Sequence, residues 1–398
     1  MNIQFKTNPT DEEWLTDFEV AIKHSINSAL YKKRCEETGF DGTLTSYDDL
    51  SKVPYLADWE FKLSNKHHPN LISVSKQDIA MYTLSSSTSG DPSFVPRTRN
   101  DVEICQQNYL GGILGWANGQ TEETAFLGPP IDILLKKAVK KHNESEAKPF
   151  VMMMFQGLKN TSGFGSINFY YDIKKDNGHV YFEKNIKRFI DHMKRMEKEN
   201  KNVLIVGTTI PTYDFLSTLD KENISFSGDI TPTIAVGTGG WDGHKGTNKT
   251  DPISKKHFFT LAKNLFGVKT FYDGYATSES PAYFHGEYHP TIEDVIHQPR
   301  RYMRIIARDL ETGAVIKQKN ELGLLQIMTP YGTQGSPQCN ILTSDIVQVL
   351  DVDNLGLISK FIYKKRAKDK ALNDVDKGGC GDFLKNHIKP SSANKRSE

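Results

Sequence analysis

The sequence predicts an α/β fold, a large layered unit followed by a smaller β-rich one, and three observations support this. Apolar strand-like runs alternate with helical patterns through residues 150–266, the order that builds largely parallel sheets under helices. From Tyr302 onward the pattern changes to short strand-like runs separated by turn residues. Of 398 residues, 37% are hydrophobic and 25% charged, which is ample for a large buried core.

Thr10 stands before Asp11, Glu12 and Glu13, and apolar residues then recur at Trp14, Phe18, Ala21, Ile22, Ile26 and Leu30. This is the pattern of a capped amphipathic helix with one face turned inward. Turn residues around 39–45 lead to Asp48, Asp49, Leu50 and Val53-Pro54, a second short helix ending at the proline. Residues 79–84 read as a strand feeding a tight loop before Pro92. The α/β rhythm then assigns strands to 150–155, 203–207 and 234–237, and helices to 184–200, 212–219 and 253–266. Strands at 303–307, 324–328, 346–350 and 357–363 make up the β-rich part. The expected organisation is an α/β core over 1–300, a β-rich subdomain over 301–363, and a hinge with a short carboxy-terminal segment over 364–398 that carries Cys380. Residues 390–398 have the polar composition of a disordered tail.

Lys and Arg total 50 against 49 Asp and Glu, so no overall field draws the chain to nucleic acid or to an anionic membrane. No stretch approaches the roughly 18 apolar residues of a spanning helix, so no integral membrane segment is expected. Residues 1–8 hold no apolar run of signal-peptide length, and the expected location is the cytoplasm. Cys35, Cys105, Cys339 and Cys380 are too widely spaced for a CxxC zinc pattern and too few to staple a chain of this size. His67, His68, His285 and His289 show no i, i+4 pairing with an acid on a helix, so no transition-metal site is expected. Of the four, His285 is the one expected to line a substrate pocket.

Five stretches carry chemistry. Ser85-Ser86-Ser87-Thr88-Ser89-Gly90-Asp91-Pro92 sets N–H and O–H donors around one turn, which suits a polyphosphate and equally an ordinary loop. It is not a Walker loop, because no Gly-Lys-Ser/Thr follows. Gly237-Thr238-Gly239-Gly240-Trp241 follows an apolar run and also reads as a strand-to-helix turn. Tyr275-Ala276-Thr277-Ser278-Glu279 gathers a ring, two hydroxyls and a carboxylate. Thr343-Ser344-Asp345 opens a strand, and Arg366-Ala367-Lys368-Asp369 closes the β-rich part.

In this order the five stretches resemble the adenylate-forming superfamily. Thr88, Gly90 and Pro92 match its Ser-Ser-Gly-Thr-Thr-Gly-Lys-Pro-Lys phosphate loop; Ser87 replaces the first glycine, and Asp91 and Ser93 replace the lysines. The resemblance implies ATP and Mg²⁺ as cofactors. It places Ser86, Ser87, Thr88, Ser89 and Gly90 at the phosphates, and Gly239, Gly240, Tyr275 and Ala276 beside adenine. Ser278 falls at the adenylate phosphate, Glu279 at Mg²⁺, and Asp345 and Arg366 at the ribose; Arg97 is the expected substitute for the missing lysine charge. Such a cation suits the reaction, because attack of a carboxylate on the α-phosphate joins two anions. The turns at 309–313 and 321–323 fit the same register without carrying chemistry.

Over nearly its whole length the chain is similar to the acyl-protein synthetases of the bacterial luminescence fatty-acid reductase complex. The shared features are the segment 46–54, the serine-rich loop, the turn 239–241, and Lys377-Gly378-Gly379-Cys380-Gly381 near the carboxy terminus, where Gly381 replaces the family's serine. Only residues 370–398 follow Asp369, so the implied fold is a large layered α/β adenylate-forming N-terminal domain with a smaller β-rich subdomain, lacking the full C-terminal lid domain. The implied activity is that of a ligase: a carboxylic, fatty acid becomes acyl-AMP, its acyl group moves to Cys380, and a partner reductase or carrier protein accepts it. The catalytic set is Cys380, Glu279 and Arg366. A thiolate attacks an acyl-adenylate readily, and Gly378, Gly379 and Gly381 leave Cys380 unhindered; Lys377 favours the thiolate, whereas Asp376 and Asp382 oppose it. Two other readings stay open: a phenylacetate-type CoA ligase, and a non-catalytic nucleotide- or acyl-binding subunit of a reductase complex.

Overall fold

The computed structural model describes residues 3–65, 67–85, 92–128, 147–158, 161–176, 179–226, 230–237, 239–242, 244–245, 248–249 and 251–367. Helix α1 (Asp11–Ser25) begins with the capping box read from the sequence. Glu13 N donates to Thr10 Oγ1 at 3.2 Å, and Thr10 N donates to Glu13 Oε2 at 2.8 Å. The helix stops earlier than its apolar spacing suggests. Ser28 caps a separate helix α2 (Ala29–Thr38), so Leu30 belongs to the second element, which ends at left-handed Gly39. The short helix before Pro54 is a 3₁₀ turn, Tyr47–Lys52, capped by Ser46.

One twelve-stranded sheet organises the described residues. In chain order its short first strand is β1 (Leu56–Ala57). The hairpin of β2 (Met81–Leu84) and β3 (Phe94–Arg97) lies apart and pairs with β5 (Ala147–Pro149). The parallel half of the large sheet comprises β4 (Glu123–Leu127), β6 (Ser166–Phe169), β9 (Val203–Thr208), β10 (Thr233–Gly237) and β13 (Tyr272–Ala276), in the order β6-β4-β9-β10-β13. β7 (Tyr171–Asp176) and β8 (His179–Lys184), and β11 (His244–Lys245) and β12 (Asn248–Lys249), form separate hairpins. From β13 the sheet continues antiparallel through β14 (Tyr283–His289), β15 (Asp294–Gln298), β19 (Ile358–Arg366), β18 (Asn340–Val352), β17 (Leu322–Met328) and β16 (Arg304–Asp309). The strands after Tyr302 thus share the sheet of the α/β part, joined where His297 of β15 faces Phe361 of β19.

Helix α3 (Arg99–Trp116) has no counterpart among the expected elements, although Thr98 and Asp101 form another capping box three residues apart. Residues 150–155, expected as a strand, belong to helix α4 (Phe150–Leu158) instead. A short, uniformly apolar run does not distinguish a buried strand from a buried helix. The crossovers are α5 (Ile186–Glu199), α6 (Thr209–Lys221) and α7 (Lys255–Phe266). In α5 the buried set Phe189, His192, Met193 and Met196 makes one stripe at helical spacing, facing the sheet. One apolar core lies around the parallel half, and a second lies between the amino-terminal helices and the antiparallel half.

This topology gathers the chemistry-bearing loops. β10 and β13 run parallel, with Gly237 opposite Gly274, so the turn at 239–241 and the segment 275–279 leave the same carboxyl edge. That edge is where open α/β sheets place their ligands. Gly274 has no room for a side chain, because a Cβ there would collide with the ring of Tyr283.

Candidate active site

Ser86, Ser87, Thr88, Ser89 and Gly90 lie outside the described residues, but Ser85 and Ser93 at the stem of their loop bond to each other. Ser85 N donates to Ser93 O at 3.0 Å, and Ser93 N donates to Ser85 Oγ at 2.7 Å. The expectation that Arg97 covers phosphates needs correction. Arg97 is fully buried and its guanidinium is committed to protein acceptors: Thr83 Oγ1 at 2.9 Å, Gln338 Oε1 at 3.1 Å, Cys105 Sγ at 3.1 Å and Ser278 O at 2.7 Å. It ties the loop stem to the segment 275–279. The missing lysine charge does not come from this side chain.

Ser278 and Glu279 are buried at the end of that tie. The Glu279 carboxylate accepts from Ser93 Oγ on one oxygen and from Ser278 Oγ at 3.0 Å on the other. No Lys or Arg among the described residues pairs with it. Thr277 O accepts from Tyr109 Oη at 3.0 Å, while Thr277 Oγ1 is buried without a hydrogen-bond partner among the described residues. A buried hydroxyl left so is a group that a ligand or ordered water completes.

Tyr275 reaches across to the β-rich strands, donating from Oη to Asp345 Oδ2 at 2.6 Å. Its ring lies in an aromatic wall of Phe284, His297, Phe361 and Tyr363. Burial pushes the Tyr275 hydroxyl well above its usual range, and the Asp345 carboxylate adds to the shift. Burial also raises the Asp345 carboxyl, against the pull of Arg366 and the Tyr275 hydrogen bond. The charges of Asp58 and Glu279 push it up further. Asp345 and Arg366 face each other across β18 and β19, so the ribose pair expected from sequence stands together.

Asp58 completes this corner, and no motif pointed to it. It is 3% exposed and accepts from Ser344 N at 2.9 Å, Ser344 Oγ at 2.7 Å and Arg366 Nη2 at 2.9 Å. Only an aspartate directly after a short apolar run, Tyr55-Leu56-Ala57, marks it in the sequence.

Gly239 and Gly240 adopt φ of 68° and 98°, the left-handed region that favours glycine, so the chain turns sharply after β10. Trp241 follows and donates its indole N–H to Asp273 Oδ2 at 2.7 Å. The indole therefore ties the turn to β13 at Asp273. His285 pairs with Gly274 on β13 and packs against Trp116 of α3, accepting from Arg300 Nη1 at 2.6 Å. Burial and Arg300 hold its pKa down to about 4, so it is neutral.

Among the described residues no group of three His, Cys, Asp or Glu is placed to hold a metal ion. Glu279 still suits Mg²⁺: it is a buried hard-oxygen donor whose partners among the described residues are hydroxyls, and a nucleotide would supply the remaining oxygens that magnesium takes. Cys380 lies outside the described residues. Cys35, Cys105 and Cys339 are buried, and burial raises their thiols to about 11, 11 and 12. They are protonated at neutral pH and poor nucleophiles.

The family model described as acyl-protein synthetase, LuxE, matches residues 12–388. The chain belongs to that family. By fold, this LuxE-family chain is similar to two crystal structures of a 2-hydroxyisobutyryl-CoA ligase in complex with 2-HIB-AMP and CoA. One is an open conformation, with TM-score 0.58, 12% identity, and 92% of this chain and 75% of that chain covered. The other is in the thioesterification state, with TM-score 0.57, 14% identity, and 92% and 70% covered. At such identity the likeness concerns fold alone, which is that of the adenylate-forming ligases. No curated protein sequence matches the chain.

Proposed function

We propose that this LuxE-family chain is an ATP-dependent ligase that activates a fatty acid and loads it onto its own Cys380. The observation that carries the proposal is the meeting of side chains from separate parts of the sequence at one corner: Ser93, Tyr275, Glu279, Asp345 and Arg366. A nucleotide laid there has its ribose at Asp345 and Arg366, its base beside Tyr275 and the Gly239–Gly240 turn, and its phosphates toward Ser278 and the loop stem at Ser85 and Ser93. Glu279 would hold Mg²⁺, which would offset the charge between the phosphates and the incoming carboxylate. Thr277 Oγ1, buried and otherwise unpaired among the described residues, is a further donor at the same place.

In the first step a carboxylate oxygen of the acid bonds to the α-phosphorus and pyrophosphate leaves. In the second the Cys380 thiolate bonds to the acyl carbon and AMP leaves, giving a thioester. Of the four cysteines the three described ones are buried and protonated, which favours Cys380 as the nucleophile. A partner reductase or carrier protein then takes the acyl group.

The purified chain is expected to exchange labelled pyrophosphate into ATP only when a fatty acid is present. It is also expected to acquire a hydroxylamine-labile acyl label that Cys380→Ser abolishes. Exchange with no acid of any length refutes the first step; a persisting label in Cys380→Ser refutes the second. Stoichiometric acyl-CoA formation would reassign the chain as a CoA ligase.

A further inference from the structure

We infer that Asp58 is the positioning residue that orients Asp345 and Arg366 toward the nucleotide, an inference that rests on the function proposed above. Its own place is set by main chain. β1 pairs parallel with β18, Leu56 beside Ile341 and Ala57 beside Leu342, which delivers Asp58 to the point where β18 reaches Ser344. Glu60 closes the turn by accepting from Ala57 N at 2.7 Å, and is itself paired with Arg34 at 2.8 Å. Asp58 is thus a buried carboxylate held from both sides.

What it holds is the residue before Asp345 and the guanidinium opposite. Ser344 gives Asp58 both its N–H and its hydroxyl, and its carbonyl accepts from Ala367 N at 2.7 Å. With both peptide groups engaged, the backbone at Ser344 has one orientation, which aims Asp345 at Tyr275. The Asp58 oxygen that accepts from Ser344 N, Oδ2, also accepts from Arg366 Nη2, and Arg366 pairs with Asp345 across the strands. Arg366 is the last residue of β19, and the chain runs from it into 368–398, which contains Cys380. One carboxylate therefore fixes both ribose-facing side chains and the root of the acyl-carrying segment. A nucleotide arriving at this corner meets groups already oriented, which removes part of the ordering cost of binding.

A residue that only supports the fold lowers melting temperature and active fraction together. A positioning residue acts on the nucleotide selectively. Asp58→Asn keeps the size and an acceptor for Ser344 but loses the charge that holds Arg366. It is expected to raise the KM for ATP in pyrophosphate exchange about tenfold, the scale of one charge-assisted hydrogen bond. The KM for the acid should stay within about twofold, because no charged contact to the acid is altered. Ser344→Ala removes one of the three bonds and should raise the KM for ATP about threefold. Asp58→Asn combined with Arg366→Lys should be less than additive, since the two residues act through one contact.

Equal changes in both KM values, unchanged KM for ATP in both variants, or full additivity of the pair overturns the inference. Equilibrium dialysis of labelled AMP against the same variants separates this inference from the proposed function. If wild type shows no exchange but binds AMP, weaker binding in Asp58→Asn still supports the positioning role and equal binding refutes it. If wild type binds no AMP, both fall.

Discussion

Replacing Tyr275 with Phe removes one atom and tests the electrostatics of the candidate site. The ring keeps its places against Phe284, His297, Phe361 and Tyr363, so packing is conserved. What disappears is the 2.6 Å hydrogen bond to the buried Asp345 carboxylate. A hydrogen bond to a charged, buried group contributes about 1.5–3 kcal/mol. Burial already raises the Asp345 carboxyl above its ordinary 3.8, and the lost bond was one of the groups holding it down. Losing that bond therefore moves the Asp345 carboxyl further upward.

The sign follows from linkage. A carboxyl whose folded pKa is raised favours the folded state below its unfolded value, and that contribution is lost as pH rises through the folded value. Tyr275→Phe should therefore lose about 2 kcal/mol relative to wild type at pH values above the raised pKa of Asp345, where the bond is to an ionised carboxylate. The gap should narrow as pH falls through the raised pKa of Asp345, because a protonated carboxyl loses less with the hydroxyl. Denaturant unfolding of both proteins at a series of pH values measures the gap. A gap that is constant with pH, or less than about 0.5 kcal/mol throughout the series, refutes the reading of Asp345 as a carboxylate that Tyr275 stabilises.

Arg97→Met leaves Thr83, Gln338 and Ser278 without their buried donor and should destabilise the chain by about 3 kcal/mol in denaturant unfolding. The same variant should lower the rate of pyrophosphate exchange, because the loop stem and the segment 275–279 lose their tie; unchanged stability would show that the tie is not formed. Glu279→Gln keeps the hydroxyl contacts but removes the charge that suits a hard cation. The magnesium concentration for half-maximal exchange should rise on the order of tenfold or more, and an unaltered magnesium curve would place the cation elsewhere.

Local chemistry was legible where a few adjacent residues determine it. The cap at Thr10 and Glu13 is one such place, since both partners lie within one turn. The helices 184–200 and 253–266 were readable for the same reason: their apolar stripes repeat every turn, and the structure places α5 and α7 there. Residues 150–155 misled because every position is apolar, which leaves no period to read, and their neighbours made them a helix. Thr98 and Asp101, three residues apart, carry the cap signal of α3.

The sequence by itself determined which residues could do chemistry at all, and in which order: the ring of Tyr275, the carboxylates of Glu279 and Asp345, and the guanidinium of Arg366. It also carried the family, whose model matches residues 12–388. Only the tertiary structure decided which of them act together. Arg97, a plausible phosphate partner by its position after the loop, proves to be fully buried and bound to Ser278 from 181 residues away. Asp58, unremarkable in sequence, is brought to Arg366 from 308 residues away by the pairing of β1 with β18. The physical reason is range: caps and periodicity act within a few residues, whereas a charge's partner is chosen by sheet register, which depends on the whole chain.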